Sequence, residues 1–525
     1  MMNMRRGGDK MSKKYDELLH TLCIYDSVEK VPYEGCIFLK DGKIANVEKG
    51  SIKKEYLEKA DTVTECGDKT VCAGFGDTHT FFTGYVIEHL GVDFSDCHSI
   101  EQLEKKITAQ KDIVHVMFGN HLEKKFVKNE AAEKMLERVM PDKAVVLFTE
   151  GHATCLMNKK AKEEFRFDED HCYSEAIYKI MPLYLNDRFF IEKELISYMK
   201  LLNSRGITSV KEMGFDDFYG FTDILAELES ENALTIRVNF MSQPVAEPFN
   251  LSYGKEMREK FKREFVRFSG YNQMTDGSIS ELCGDLKKPY SCADTTCAQD
   301  IDWDLLANDT FKADTEGFRF SLHAQGDAAI SKVLDIYDSC QKDENGKLIN
   351  RHSITDLEFS DPTDLERMGK LGVIAEIYPQ IQSIANRKDK LAMIEEKIGM
   401  DRGQYYWNRR KMADSNVLLS CGTDLPLLID DIPESIYHAV GGYFPEGGEP
   451  FNKQNMLTIP ELLTAWSAGG AYNLYQEKEL GTLEKGKKAD IVVFDGNLFE
   501  TAIEEIRSRK VEVTFLNGRI VYSHE

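Results

Sequence analysis

Three stretches of this chain join a short apolar run to residue types that handle protons or metal ions. Val71-Cys72-Ala73-Gly74-Phe75-Gly76-Asp77-Thr78-His79-Thr80-Phe81-Phe82 ends by presenting an acid and an imidazole. Ser321-Leu322-His323-Ala324-Gln325-Gly326-Asp327 repeats the layout, and Leu418-Leu419-Ser420-Cys421-Gly422-Thr423-Asp424 ends in a carboxylate. A single histidine after a single strand is equally well read as a hydrogen-bonded turn residue. Recurrence is the informative part. Strand followed by polar cluster, several times in order, is the pattern of a (β/α)8 barrel whose chemistry lies at the strand C-termini. Other polar groups fall at comparable points: Lys211-Glu212 after 207–210, Asn272 ahead of Asp276, Asp356 inside 354–359, and Tyr378 at the end of 372–378.

On these residues the chain resembles the amidohydrolase superfamily. The stretch 71–82 is similar to that superfamily's first barrel strand, usually written P-G-x-[IV]-D-x-H-x-H. The rest resembles the amidohydrolase-3 branch, which includes N-substituted formamide deformylases. The supporting motifs are Gly206-Ile207-Thr208-Ser209-Val210, Asp276-Gly277-Ser278, Arg351-His352-x-Ile354, Gly422-Thr423-Asp424 and Gly481-Thr482-Leu483-x-x-Gly486-x-x-Ala489-Asp490-Ile491-Val492. The resemblance implies an α/β fold: a (β/α)8 TIM-like barrel with a small β-sandwich domain built from both chain ends. It also implies metal-dependent hydrolysis, with C–N bonds of amides or cyclic amides as the default.

In the resembled family, strand one supplies two histidines, strand four a carboxylated lysine, strands five and six one histidine each, and strand eight an aspartate that also serves as base. His79, His323 and Asp424 match three of those positions. Phe81 stands at the second strand-one histidine, Asn272 at the lysine and Asp356 at the strand-six histidine. The expected metal ligands are therefore His79, His323 and Asp424, holding one divalent ion, Zn, Mn or Fe, with open positions. Asp424, Lys211, Asp356 and His152 are the expected catalytic residues. His352, Tyr378, Glu212 and Asn272 are expected to line the substrate site. Lys211 has three readings: a partner for Asp424 or Asp356, a group that polarises a substrate carbonyl, and a plain buried ion pair. His152 has a Gly-His match in the family and an alternative as a solvated turn residue.

Two alternatives to C–N hydrolysis stay open. One is ring opening of a cyclic 1,3-dione by C–C hydrolysis, with the metal and Lys211 stabilising an enolate. The other is a barrel that binds a small ligand without catalysis.

The elements that must position these groups follow from hydrophobic patterning. Runs of alternating residues in 14–71 and 481–525, with Asp41-Gly42 and Asn517-Gly518 as hairpin turns, read as one small β-sheet domain. Residues 72–480 read as the barrel, with an insertion at about 82–192 that is too long for an ordinary βα loop. The charged run 387–411 reads as a solvated helical excursion after the seventh strand. At 525 residues, with 42% hydrophobic and 30% charged residues, the chain has ample material for a large core. A formal charge of −23 disfavours nucleic acid and anionic membrane as partners. No apolar run reaches about 18 residues. Twelve scattered cysteines without a Cys-x-x-Cys pair fit reduced thiols in the cytoplasm. The expected partner is a small-molecule substrate, and a homodimer is compatible with the sequence.

Overall fold

The computed structural model describes residues 13–110, 116–149, 154–166, 183, 187–214, 220–244, 248–428 and 431–524. Eight parallel strands pair in chain order: β1 (Phe75–Thr80), β2 (Ile207–Gly214), β3 (Arg237–Ser242), β4 (Val266–Met274), β5 (Phe320–Ala324), β6 (Ser353–Asp356), β7 (Ile374–Ile377) and β8 (Leu418–Cys421). The strands are short and almost wholly buried, as parallel strands covered on both faces must be. Helices cover the outside, among them α1 (Arg188–Asn203), α2 (Phe221–Ser230), α3 (Asp327–Asp338) and α4 (Pro362–Leu371). Their ends are chemically specified. The Asp187 side chain accepts from the amides of Phe189 and Phe190 at the start of α1. Asp361 caps α4, which opens on Pro362 and stops at Gly372 with φ 74°.

β8 and β1 close the barrel through their tips. The Thr78 hydroxyl donates to the Cys421 carbonyl (3.0 Å), the Asp424 amide to the His79 carbonyl (2.8 Å) and the Phe81 amide to the Leu425 carbonyl (2.9 Å). Gly422 makes this closure possible, since a Cβ there would stand 2.7 Å from the Cβ of His79.

Strands from both chain ends share a second eight-stranded sheet. Thr70–Ala73 lies between Tyr15–Tyr25, which it joins in parallel, and Ile491–Phe494, which it joins antiparallel with Ile491 opposite Ala73. Alternate residues of Tyr33–Lys40 feed two apolar clusters: Cys36 and Phe38 enter one, Ile37 and Leu39 the other, so the sheet has a core on each face. Both hairpin turns carry positive φ at both positions (49° and 76° at Asp41-Gly42, 48° and 70° at Asn517-Gly518), which matches the strand twist. A buried ion pair joins this sheet to the barrel, Arg237 to Asp490 at 2.5 Å.

The insertion has a four-stranded sheet of its own, Val92–Asp93, Met117–Leu122, Val145–Thr149 and Cys155–Met157. Phe118, Val146 and Phe148 pack toward the barrel's core cluster, whereas Met117, Val145 and Leu147 pack with Leu103 and Leu136 of two covering helices. Among the described residues, no helix is long and apolar enough to cross a membrane.

The charged run departs from expectation. Helix α5 (Arg387–Lys397) is exposed on one side, but Ile394, Ile398, Tyr406 and Trp407 pack with Ile279, Tyr290, Phe444 and Phe451 into a separate core over the barrel mouth. The polar face of α5 dominates its composition, so the few residues that anchor it were outvoted in the sequence reading. It is a cap, not a solvated excursion.

Candidate active site

Strand alternation decides which groups enter the barrel. Lys211 on β2 points inward and Glu212 outward. The Lys211 ammonium pairs with the Glu376 carboxylate on β7, and both side chains are fully buried. Asn473 donates to the same carboxylate (3.1 Å) and to the Ser420 hydroxyl (2.8 Å), and the guanidinium of Arg319 donates to Asn473. Burial draws Lys211 down to about 7, opposed by Glu376, and the carboxylate of Glu376 is held far below its usual range against its own burial by the Lys211 charge. The pair is ionic, because a carboxylate with two donors and an ammonium in contact gains more than desolvation removes. Lys211 is thus paired with neither Asp424 nor Asp356, and the buried ion pair is the reading that the geometry supports.

At the tip of β1 the His79 ring lies between two acids: Nε2 is 3.6 Å from Asp424 and Nδ1 is 3.7 Å from Glu376. The ring also meets Phe81 edge-on, centroids 5.4 Å apart, and Tyr378 at 5.5 Å. Asp77 anchors this tip. Its carboxylate accepts from the amides of His79 (3.2 Å) and Thr423 (3.1 Å) and from the Thr423 hydroxyl (2.6 Å), and burial pushes it up to about 6. Asp424 follows in the left-handed region at φ 52°, unusual for a non-glycine residue, with its side chain one-quarter exposed. Burial raises its pKa and the Asp356 charge adds to that, while His79 opposes.

Across the mouth, His323 at the tip of β5 gives Nε2 to Asp356 (3.1 Å), and Gln325 donates to the same oxygen (2.8 Å). Burial works against the His323 charge, but Asp356 outweighs it and raises the imidazole to about 9. Asp356 sits at φ 77° and Leu357 at φ 59°, so β6 also ends in a left-handed corner. Beneath, Asp276 accepts from the amides of Gln325, Gly326 and Asp285 at 2.8–2.9 Å and fixes the turn from β5 into α3. Gly326 is needed there, because a Cβ would fall 2.2 Å from the Asp285 carbonyl oxygen.

His323, Asp356, Tyr378 and Asp424 wall one cavity of about 310 Å³, closed on its far side by Lys390 and Glu358. Lys390 reaches in from α5, pairs with Glu358 and runs over the rings of Tyr406 and Trp407 at 5.0 and 5.1 Å. Lys390 did not stand out in the sequence, whereas Glu358 is visible there as a second acid on the run that carries Asp356.

Other expected site residues lie elsewhere. The Glu212 carboxylate accepts from the Phe82 amide (2.6 Å), the Thr80 hydroxyl (3.0 Å) and the Tyr198 phenol (3.2 Å) outside the barrel wall, where burial raises it to about 8. Asn272 donates to Gln243 (2.9 Å). His352 precedes β6 and so sits at the opposite end of the barrel from the mouth. Its Nδ1 accepts from the Phe320 amide (2.9 Å) and its Nε2 faces Asp314 (3.0 Å), while the ring stacks on Tyr337. Its expected substrate contact is replaced by a structural one. His152 lies outside the described residues.

A model of the amidohydrolase family matches residues 62–522. The chain belongs to the amidohydrolase family. Within the family it is 24% identical over 271 residues to the putative amidohydrolase YtcJ of Bacillus subtilis, covering 51% of this chain and 49% of that one. It is 25% identical over 216 residues to the N-substituted formamide deformylase of Arthrobacter pascens, covering 40% of this chain and 38% of that one. The chain thus spans about half the length, or less, of these relatives. An uncharacterized metal-dependent hydrolase from Pyrococcus horikoshii OT3 superimposes with a TM-score of 0.73 at 21% identity, over 93% of this chain and 99% of that one, and shares its fold.

The metal that such a family implies is tested by the donors present. His79 and Asp424 have ligand-like spacing, but the His323 Nε2 is engaged with Asp356, and the three do not close into one centre. Among the described residues, the three-donor group whose ligand atoms lie within 4.8 Å of one another is Asp314, Cys340 and His352. Asp314 there already accepts from Asn350 (2.7 Å) and Gln341 (2.9 Å). As placed, the mouth residues do not fit a closed metal centre.

Proposed function

We propose that the barrel mouth is the active site of a hydrolase acting on a small molecule, with an amide or cyclic-amide C–N bond as the substrate class. The observation that carries this is the 310 Å³ cavity in which a largely buried base, Asp424, faces a charged histidine, His323, across the strand C-termini. Asp424 would take a proton from water held against the substrate carbonyl, a role that contributes roughly 10²–10⁴-fold in rate. The His323 imidazolium, kept charged by Asp356, offers a fixed positive field where negative charge develops on the carbonyl oxygen. Tyr378 packs on His79 and fixes the wall between them. The likeness to a formamide deformylase supports the C–N class.

The test is turnover of N-formyl amines, cyclic amides and cyclic 1,3-diones by the wild-type chain and by Asp424→Asn. The variant should lose kcat by about 10²–10⁴-fold with an unchanged melting temperature. Near-normal kcat in the Asn variant would overturn the assignment of the base. Turnover confined to the diones would move the reaction to C–C hydrolysis, in which Lys211 has no access to an enolate because Glu376 and the barrel interior enclose it. Absence of turnover together with saturable ligand binding would leave a binding barrel.

Metal content is a separate matter. Because His79, Asp424 and His323 as placed do not close into one centre, we propose at most one equivalent of Zn, Mn or Fe per chain, and the hydrolysis above rests on none. Elemental analysis of purified protein should return no more than one equivalent per chain, and two equivalents would reject that limit.

A further inference from the structure

Behind the mouth lies a smaller enclosed space walled by Asp356, Tyr378, Ile381, Trp407, Arg409 and Met412. About 10 Å³ is open to the centre of a water-sized sphere, on the order of one water. Arg409 is 2% exposed. A guanidinium carries five N–H donors and a permanent charge, yet the bonds of Arg409 run to two neutral oxygens, the Tyr378 carbonyl (3.0 Å) and the Gln382 amide (3.5 Å). Among the described residues it makes no ion pair. Burial lowers its pKa to about 10, and the ionisable neighbour that acts on it is the Cys421 thiol. Trp407, in the same wall, is 5% exposed, its indole Nε1 has no acceptor, and its ring lies 5.9 Å from the guanidinium. Trp407 also holds φ 48°, a conformation a bulky residue keeps only where its surroundings impose it.

Among the buried cations of the described residues, Lys211 has Glu376 and Arg237 has Asp490, whereas Arg319, which like Arg409 makes no ion pair, gives its bonds to the side chain and carbonyl of Asn473. Asp356 borders the small cavity, but its hydrogen bonds go to His323 and Gln325 on the mouth side. A buried positive charge, a spare N–H donor and a space of atomic size therefore coincide, and burying a charge without a counter-charge is strongly unfavourable.

We propose that this cavity is a binding site for a monoatomic monovalent anion, chloride or bromide, held between the Arg409 guanidinium and the Trp407 indole. A monoatomic ion is satisfied by these two donors, whereas the oxygens of a phosphate or carboxylate would lie unbonded against Ile381 and Met412. Because Asp356, Tyr378 and Ile381 wall both cavities, the halide braces the back of the mouth, and Arg409 transmits this through its bond to the Tyr378 carbonyl.

The experiment uses the full chain exchanged into sodium gluconate, then titrated with sodium chloride or bromide at constant ionic strength. The melting temperature should rise with saturation, and crystals grown in bromide should show one anomalous peak between Arg409 and Trp407. Trp407→Phe keeps the ring and removes the N–H donor, so its halide midpoint should move several-fold upward. Arg409→Gln should abolish the saturable rise. If Arg409→Gln fails to fold, the bromide peak and Trp407→Phe still decide. A cavity without an anomalous peak, or a halide response unchanged in Trp407→Phe, would overturn the proposal. These readouts do not involve turnover, so they stand or fall apart from the proposed hydrolysis.

Discussion

Lys211 is best judged by what remains when it is removed. Lys211→Met leaves the Glu376 carboxylate without its ammonium at zero exposure, with Asn473 as its donor and the His79 ring 3.7 Å away. Denaturant unfolding should show a loss of about 3–5 kcal/mol. Adding Glu376→Met should restore most of it, since replacing both members of a buried pair by apolar groups is often near neutral. A double variant as unstable as the single one would show that packing, not charge, holds this layer together. The same residue marks how far the sequence could be read. Lys211 was conspicuous as a charge ending an apolar run, but its partner was not. Glu376 sits in Ile374-Ala375-Glu376-Ile377, and nothing in a linear pattern tells that this strand's inward residue faces that of β2. His79, His323 and Asp424 were legible because each ends a strand. His352 misled although it precedes its strand and so lies at the barrel end away from the mouth.

At the scale of elements, the helix Ile459–Thr464 is short and depends on its cap. Thr458 and Glu461 form a reciprocal capping box, and Arg410 binds the same carboxylate in two-pronged fashion at 2.6 and 2.8 Å. Arg410 above all, with Thr458, holds Glu461 down at about 2. A carboxyl depressed in the folded state contributes stability that is present above its unfolded value near 4.5 and fades as pH falls through about 2. Glu461→Gln should therefore cost about 1 kcal/mol at neutral pH, with the two proteins converging as unfolding is measured toward pH 2. A gap that stays constant with pH would assign the loss to shape instead of charge. Barrel strands such as β1, β5 and β8 were legible as short apolar runs that end in polar clusters. The cap was not, because α5 carries its anchoring residues few and far apart among charged ones, and Tyr405-Tyr406-Trp407 was the aromatic signal within that run.

For the molecule as a whole, the sheet built from both chain ends sets the strongest dependence. Ending the chain after Leu480 removes Ile491–Phe494 and Val511–Leu516, exposes one edge of Thr70–Ala73, and strips Arg237 of Asp490. An open apolar edge and a buried cation left with Glu264 as its one acid should together give insoluble protein, measured as the soluble fraction on expression. A soluble truncation with the full-length melting temperature would show that the sheet is dispensable. The same pairing also places a clock on synthesis. The edge of Thr70–Ala73 is made early, and its neighbour Ile491–Phe494 is translated on the order of 400 residues later, about 20–80 s at ribosomal speed. For that interval the N-terminal strands exist with an unsatisfied edge while the barrel is still being made. Nascent chains stalled before residue 490 should accordingly be the species that chaperones hold and proteases cut, and release of the last 35 residues should end both.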